Sequence, residues 1–74
     1  MNIIVYSREG CHLCDELIVY IEQQNSNYKL SIVDISTDKK LEKQYSDFIP
    51  VVYINGSIFF APIDYAALAQ LFNQ

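Results

Sequence analysis

Ser7-Arg8-Glu9-Gly10-Cys11-His12-Leu13-Cys14-Asp15 holds the chain's only two cysteines, three positions apart, between an apolar run and a helical pattern. A strand that feeds directly into a helix delivers a thiol to the helix N-terminus, where unpaired backbone N–H groups and the dipole favour an anion. Such a setting converts a thiol into the more reactive thiolate. Two cysteines are too few for the disulfide framework of a small secreted scaffold, so the C-x-x-C spacing reads as redox chemistry or as half of a metal site.

Upstream, Ile3-Ile4-Val5-Tyr6 is β-branched and aromatic and apolar on both faces, the pattern of a central strand covered by helices on each side. Downstream the period changes. Leu13, Leu17, Tyr20 and Ile21 fall on one helical stripe with Cys14 and Ile18 beside it, while Asp15, Glu22 and Gln23 face water. A helix is predicted from Cys11 or His12 to about Gln24, ended by Asn25-Ser26-Asn27. Tyr28 to Ile35 alternates loosely as a second strand, which makes a right-handed parallel βαβ unit.

Ser36, Thr37 and Asp38 are N-cap candidates for a short helix through Leu41 to Tyr45. Phe48 to Ile54 is the next strand, with Pro50 near its start because proline cannot donate to a ladder from a strand interior. Asn55-Gly56 then joins it to Ser57-Ile58-Phe59-Phe60, a strong hairpin signal since both turn positions must accept positive φ. Pro62 closes that strand, and Ile63 to Phe72 is a terminal helix with Tyr65, Leu68, Ala69 and Phe72 on one stripe.

The expected fold class is therefore α/β, in the order β-α-β-α-β-β-α, with a mixed four-stranded sheet and helices on both faces. Residues 1–74 form a single domain, since 74 residues at 51% apolar content support one small core. Met1 to Tyr6 has no basic leader region and no membrane-length apolar run, so a cytoplasmic, membrane-free location is expected. A formal net charge of -4 with scattered Lys and Arg supplies no basic stripe for phosphates, which argues against nucleic acid.

With this order in hand, the chain resembles the thioredoxin fold in its minimal form, the glutaredoxin-like proteins. The likeness rests on Val5-Tyr6-Ser7-Arg8 followed by Cys11-x-x-Cys14, on Ile49-Pro50-Val51, and on Tyr53-Ile54-Asn55-Gly56 at the hairpin. The wording Gly10-Cys11-His12-Leu13-Cys14-Asp15 is similar to a subgroup of short glutaredoxin-like bacterial proteins.

The resemblance implies a thiol-disulfide oxidoreductase with Cys11 as nucleophile and Cys14 as resolving thiol, reducing protein or glutathione mixed disulfides as a monomer. It implies a cis Ile49-Pro50 bond, with the backbone of Ile49 pairing an extended substrate segment; the plainer reading of Pro50 is a trans edge-strand proline. Leu13 stands where the family commonly has an aromatic residue. Arg8 aligns with a basic residue that meets a glutathione carboxylate or the thiolate field, or else is a solvated loop charge. His12 either raises the thiolate population when protonated or is merely exposed between the cysteines.

Glutaredoxins usually follow the hairpin with Gly-Gly, a small residue and an aspartate that hold the γ-glutamyl end of glutathione. Here Phe60-Ala61-Pro62-Ile63 stands in that place with Asp64 beside it, so specific glutathione capture is weakened while dithiol chemistry is not. Phe59, Phe60, Pro62 and Ile63 form either an apolar rim for a protein disulfide or core under the last helix.

No bound cofactor is expected; the electron source is glutathione or a thioredoxin-type reductase. The alternatives are a zinc or iron–sulfur binding protein using the same cysteines, which needs a second copy to complete four ligands, and a redox-silent interaction module of the same fold.

Overall fold

The structure, a computed structural model, describes residues 1–24 and 27–73. Among these residues the chain forms β1 (Asn2–Ser7), α1 (His12–Glu22), β2 (Lys29–Asp34), α2 (Lys39–Tyr45), β3 (Val51–Ile54), β4 (Ser57–Phe60) and α3 (Tyr65–Phe72). A single 3-10 turn over Ile35–Thr37 leads into α2. The strands lie side by side in the order β2-β1-β3-β4. β1 pairs parallel with β2 and antiparallel with β3, and β3 pairs antiparallel with β4, so the sheet is mixed as expected.

The period-2 alternation of β1 assigns its side chains. Ile3, Val5 and Ser7 are buried, and Ile4 and Tyr6 are partly covered on the other face. On the first face Ile3 and Val5 meet Ile54 and Val52 across the ladder. Leu17 and Ile21 of α1 and Leu68 and Phe72 of α3 close over them, and all eight belong to one core cluster. Burial of such side chains contributes about 1.5–3 kcal/mol each, the main favourable term in so small a domain. On the opposite face the Tyr45 ring of α2 lies 4.8 Å from the Tyr6 ring. Helices therefore cover both faces.

Several boundaries differ from the sequence reading. α1 ends at Glu22 with Gln23 as its cap, two residues early, where the Gln23 N–H donates to the carbonyls of Val19 and Ile21. Of the proposed Asn25-Ser26-Asn27 terminator, Asn25 and Ser26 lie outside the described residues. β2 is one residue shorter at each end. Asp34, its last residue, stays paired with Ser7 while its carboxylate caps the 3-10 turn that takes Ile35 out of the strand, accepting from Ser36 N–H and Ser36 Oγ at 2.9 and 2.7 Å. Among the three cap candidates for α2, Asp38 takes the role, accepting from Lys40 N–H at 2.8 Å.

β3 begins at Val51, three residues late, since Phe48 N–H closes a turn on the Tyr45 carbonyl at 2.8 Å. α3 begins at Tyr65 because Asp64 is its N-cap, accepting from Ala67 N–H at 3.1 Å. The hairpin turn has φ 52° at Asn55 and 86° at Gly56, the two successive positive values of a type I′ turn. Leu13 leaves the predicted apolar stripe and is 56% exposed, as the buried face of α1 is centred on Cys14, Leu17 and Ile21.

Two outcomes follow from these contacts. Leu17→Ala empties a fully buried site and should lower stability in urea unfolding by about 2–5 kcal/mol; a loss under about 1 kcal/mol would contradict the packing described. The hydrogen bonds from Ser36, with a smaller contribution from the Arg8 charge, lower the Asp34 pKa from 3.8. Because folding lowers it, the stabilisation is fully present above pH 3.8 and is lost as pH falls through the folded value. Ser36→Ala removes the hydroxyl bond and keeps the backbone one, so it should return that pKa part of the way toward 3.8 in a carboxyl NMR titration. An unchanged titration would rule the Ser36 hydroxyl out as a cause.

Candidate active site

β1 ends at Ser7, and the chain turns through Arg8-Glu9-Gly10 to reach α1. Cys11 N–H donates to the Arg8 carbonyl at 3.1 Å, and Gly10, at φ 82°, supplies the positive value that the third position of a type II turn requires. This turn sets Cys11 as the N-cap of α1, with extended backbone at φ -85° and ψ 104°. Its Sγ accepts from Cys14 N–H at 3.1 Å, and its carbonyl accepts from Asp15 N–H at 3.1 Å. The sulfur thus occupies the place that Ser or Asp oxygens fill in ordinary caps, at the positive end of the helix.

Cys11 and Cys14 are joined by a disulfide, their Cα atoms 5.2 Å apart. Their exposures differ: Cys14 is fully buried on the core side of α1, whereas Cys11 is half-buried at its mouth. An incoming reactant therefore reaches the Cys11 sulfur first. Asp15 stands in the first turn, where a carboxylate favours the helix and opposes a thiolate.

The Ile49-Pro50 bond is cis, and so is Ala61-Pro62, which the sequence reading did not anticipate. The two loops are tied together by Ala61 N–H donating to the Phe48 carbonyl at 3.1 Å. They face α1 across a cleft of about 140 Å³ whose lining includes Leu13, Pro50, Ala61, Pro62 and Ile63. Leu13, between the cysteines, and Pro50 are thereby brought to one site. Ile49 is half-buried next to it.

Arg8 and His12 are exposed, and neither lines this cleft. His12 lines a second, open groove of about 370 Å³ along the outer face of α1 with Asp15, Glu16, Val19, Tyr20 and Gln23. Arg8 acts electrostatically on Asp34, whose strand partner is Ser7.

Two residues that the sequence reading did not place against a substrate line the cleft. Glu16 lines both the cleft and the α1 groove, and Tyr65, at the start of α3, closes the cleft. The Glu16 signal was available, since it lies three positions after Leu13 and so on the same helical face. Tyr65 carried no such signal: its place comes from α3 packing beside α1, with the Tyr20 and Tyr65 rings 4.9 Å apart and edge to face. Burial first, then the Glu16 charge and Tyr20, push the Tyr65 hydroxyl above its usual 10.0.

The adjacent phenylalanines separate as alternation requires. Phe59 packs against the core, while Phe60 is 45% exposed and 5.8 Å from the Phe48 ring. Ile63 packs on the core as well as lining the cleft, and Pro62 is exposed. Ahead of α3, Pro62 has no N–H and Ala61 N–H serves Phe48, and inside its first turn Ala67 N–H serves Asp64. Among the described residues, no group of three or more His, Cys, Asp or Glu converges as metal ligands, and no helix is long and apolar enough to cross a membrane.

Residues 2–73 match the glutaredoxin-like domain (DUF836). The chain belongs to that family. A structural-genomics target from X. campestris, XcR50, superposes on this glutaredoxin-like chain with a TM-score of 0.78 at 28% identity, covering 96% of this chain and 95% of the other. Protein Ne2328 from Nitrosomonas europaea gives 0.71 at 30% identity over 93% and 87% of the two chains. A wheat glutaredoxin gives 0.67 at 18% identity over 96% and 78%, a likeness of fold. No curated protein matches the chain significantly.

In the reduced protein the cap geometry should hold the Cys11 thiol below the unperturbed value of about 8.5. The pH dependence of alkylation, followed by mass spectrometry, measures it; a Cys11 value at or above about 8.5 would show that the helix N-terminus does not stabilise the thiolate.

Proposed function

We propose that this glutaredoxin-like protein is a dithiol-disulfide oxidoreductase acting on protein or mixed disulfides. The observation that carries the reading is the asymmetric pair at the head of α1: an accessible Cys11 sulfur that accepts a helix N–H, bonded to a fully buried Cys14. Disulfide exchange needs a thiolate that the substrate can reach and a second thiol shielded from it.

In the reduced protein the Cys11 thiolate attacks one sulfur of a substrate disulfide. A Cys11–substrate disulfide forms, the substrate S–S bond breaks, and the other half leaves as a thiolate. Cys14, deprotonated, then attacks the Cys11 sulfur. The mixed disulfide breaks, the second substrate half departs as a thiolate, and the Cys11–Cys14 disulfide remains. Two electrons have passed to the substrate, and each released thiolate takes a proton according to its pKa.

A two-electron donor, either two glutathione molecules or a thioredoxin-type reductase, restores the dithiol; no bound cofactor takes part. Leu13 and Pro50 give the substrate an apolar seat, and the Ile49 backbone beside Pro50 pairs with an extended segment. Arg8, three positions before Cys11, adds positive charge as the substrate approaches, and His12 offers a polar contact between the cysteines. The reducing character of this cycle suits a monomer in the cytoplasm, where thiols are kept reduced.

The test is a disulfide-reductase assay with purified variants. Cys11→Ser should abolish turnover. Cys14→Ser should instead accumulate a mixed disulfide on Cys11, visible by mass spectrometry. Full activity of Cys11→Ser would end the mechanism, and running wild type with glutathione and with thioredoxin reductase identifies the electron donor.

A further inference from the structure

The surface around the disulfide is more selective than an apolar seat alone. The cleft beside Leu13 and Pro50 and the groove along α1 meet at Glu16, which lines both. Each is lined by exposed apolar surface, Leu13 at 56% exposure in the cleft and Val19 at 50% in the groove, and Tyr65 of the cleft packs edge to face on Tyr20 of the groove. Asp15 and Glu16 are the only Asp, Glu, Lys or Arg side chains lining either depression, and both are negative.

At the far wall neither Ala61 nor Pro62 offers a backbone donor to a carboxylate, since Pro62 has no N–H and Ala61 N–H is engaged by Phe48. An anionic reactant meets like charge at Glu16 and Asp15, whereas a segment with an apolar residue and a cationic side chain meets complementary partners on both counts.

We propose that Glu16 is a specificity-determining residue, selecting extended protein segments that carry a basic side chain beside the disulfide cysteine and disfavouring acidic thiol compounds such as glutathione. The inference rests on the redox reading above and names its substrate class. The geometry is an apolar side chain in the cleft between Leu13 and Pro50, with the neighbouring basic side chain over Glu16 and within reach of Asp15. Both carboxylates are solvent-exposed, so the preference is modest and is screened by salt.

Two fluorogenic peptide disulfides test it, identical except for a lysine or a glutamate beside the cysteine. Turnover is recycled by dithiothreitol, and the uncatalysed rate is subtracted. At low salt kcat/KM should favour the lysyl peptide by about threefold, shrinking toward equality at about 0.5 M salt. Glu16→Gln should reduce the ratio, and Glu16→Lys should invert it.

The ratio is the informative quantity, because a change in Cys11 reactivity would move both peptides together. The same ratio in wild type, Glu16→Gln and Glu16→Lys would overturn the specificity while leaving the oxidoreductase reading intact. Absence of exchange with either peptide would overturn both.

Discussion

The bond between Cys14 N–H and the Cys11 sulfur ties the chemistry of this protein to its fold. It exists only if α1 starts at His12, and α1 starts there because a Gly10 turn redirects the chain at the end of the innermost strand. The same helical turn that leaves Cys11 at the mouth carries Cys14 into the core beside the Leu17 and Ile21 stripe. One local geometry thus makes two identical side chains chemically unequal.

That geometry is held in place by the rest of the sheet. β1 has neighbours on both edges, and its buried face is covered by α1 and α3 through Leu17, Ile21, Leu68 and Phe72. Since α1 rests on β1 and α3 packs against α1 by the Tyr20 and Tyr65 rings, the two loops that precede β3 and α3 are brought up to Leu13 and Glu16 of α1. The hydrogen bond from Ala61 to Phe48 joins them into a single wall. The cleft is consequently a product of long-range packing, although its nearest residue, Leu13, sits between the cysteines.

The family likeness and the departures from it describe different parts of the molecule. Membership in the glutaredoxin-like domain family accounts for the strand order, the helices and the placement of the cysteine pair. The segment from Phe60 to Asp64 differs from the Gly-Gly and aspartate wording usual in glutaredoxins: it holds a cis Ala61-Pro62 bond, an Asp64 carboxylate turned onto its own helix, and an Ala61 N–H engaged by Phe48. Its cleft-lining side chains, Ala61, Pro62 and Ile63, offer apolar contact.

By itself the sequence determined the strands, the α-helices and their order, the hairpin turn and the position of the cysteine pair, though not the 3-10 turn over Ile35–Thr37. Those features are encoded within a few residues, as the period-2 run of β1, the 3.6-residue stripe of α1, and the Asn55-Gly56 pair whose backbone takes positive φ. Boundaries shifted where an aspartate took the role of cap, as Asp34 and Asp64 do, and the choice of Asp38 over Ser36 and Thr37 stayed open, because several neighbouring polar residues can cap and sequence does not rank them. The start of β3 shifted furthest, where Phe48 N–H closes a turn on Tyr45. Only the tertiary structure decided the difference in exposure between Cys11 and Cys14, the outward turn of Leu13, and the meeting of Glu16 and Tyr65 with Pro50 at one cleft. These depend on which helix face the sheet covers and on how residues about 35 to 50 positions apart pack, quantities set by the shared core rather than by any local run of side chains.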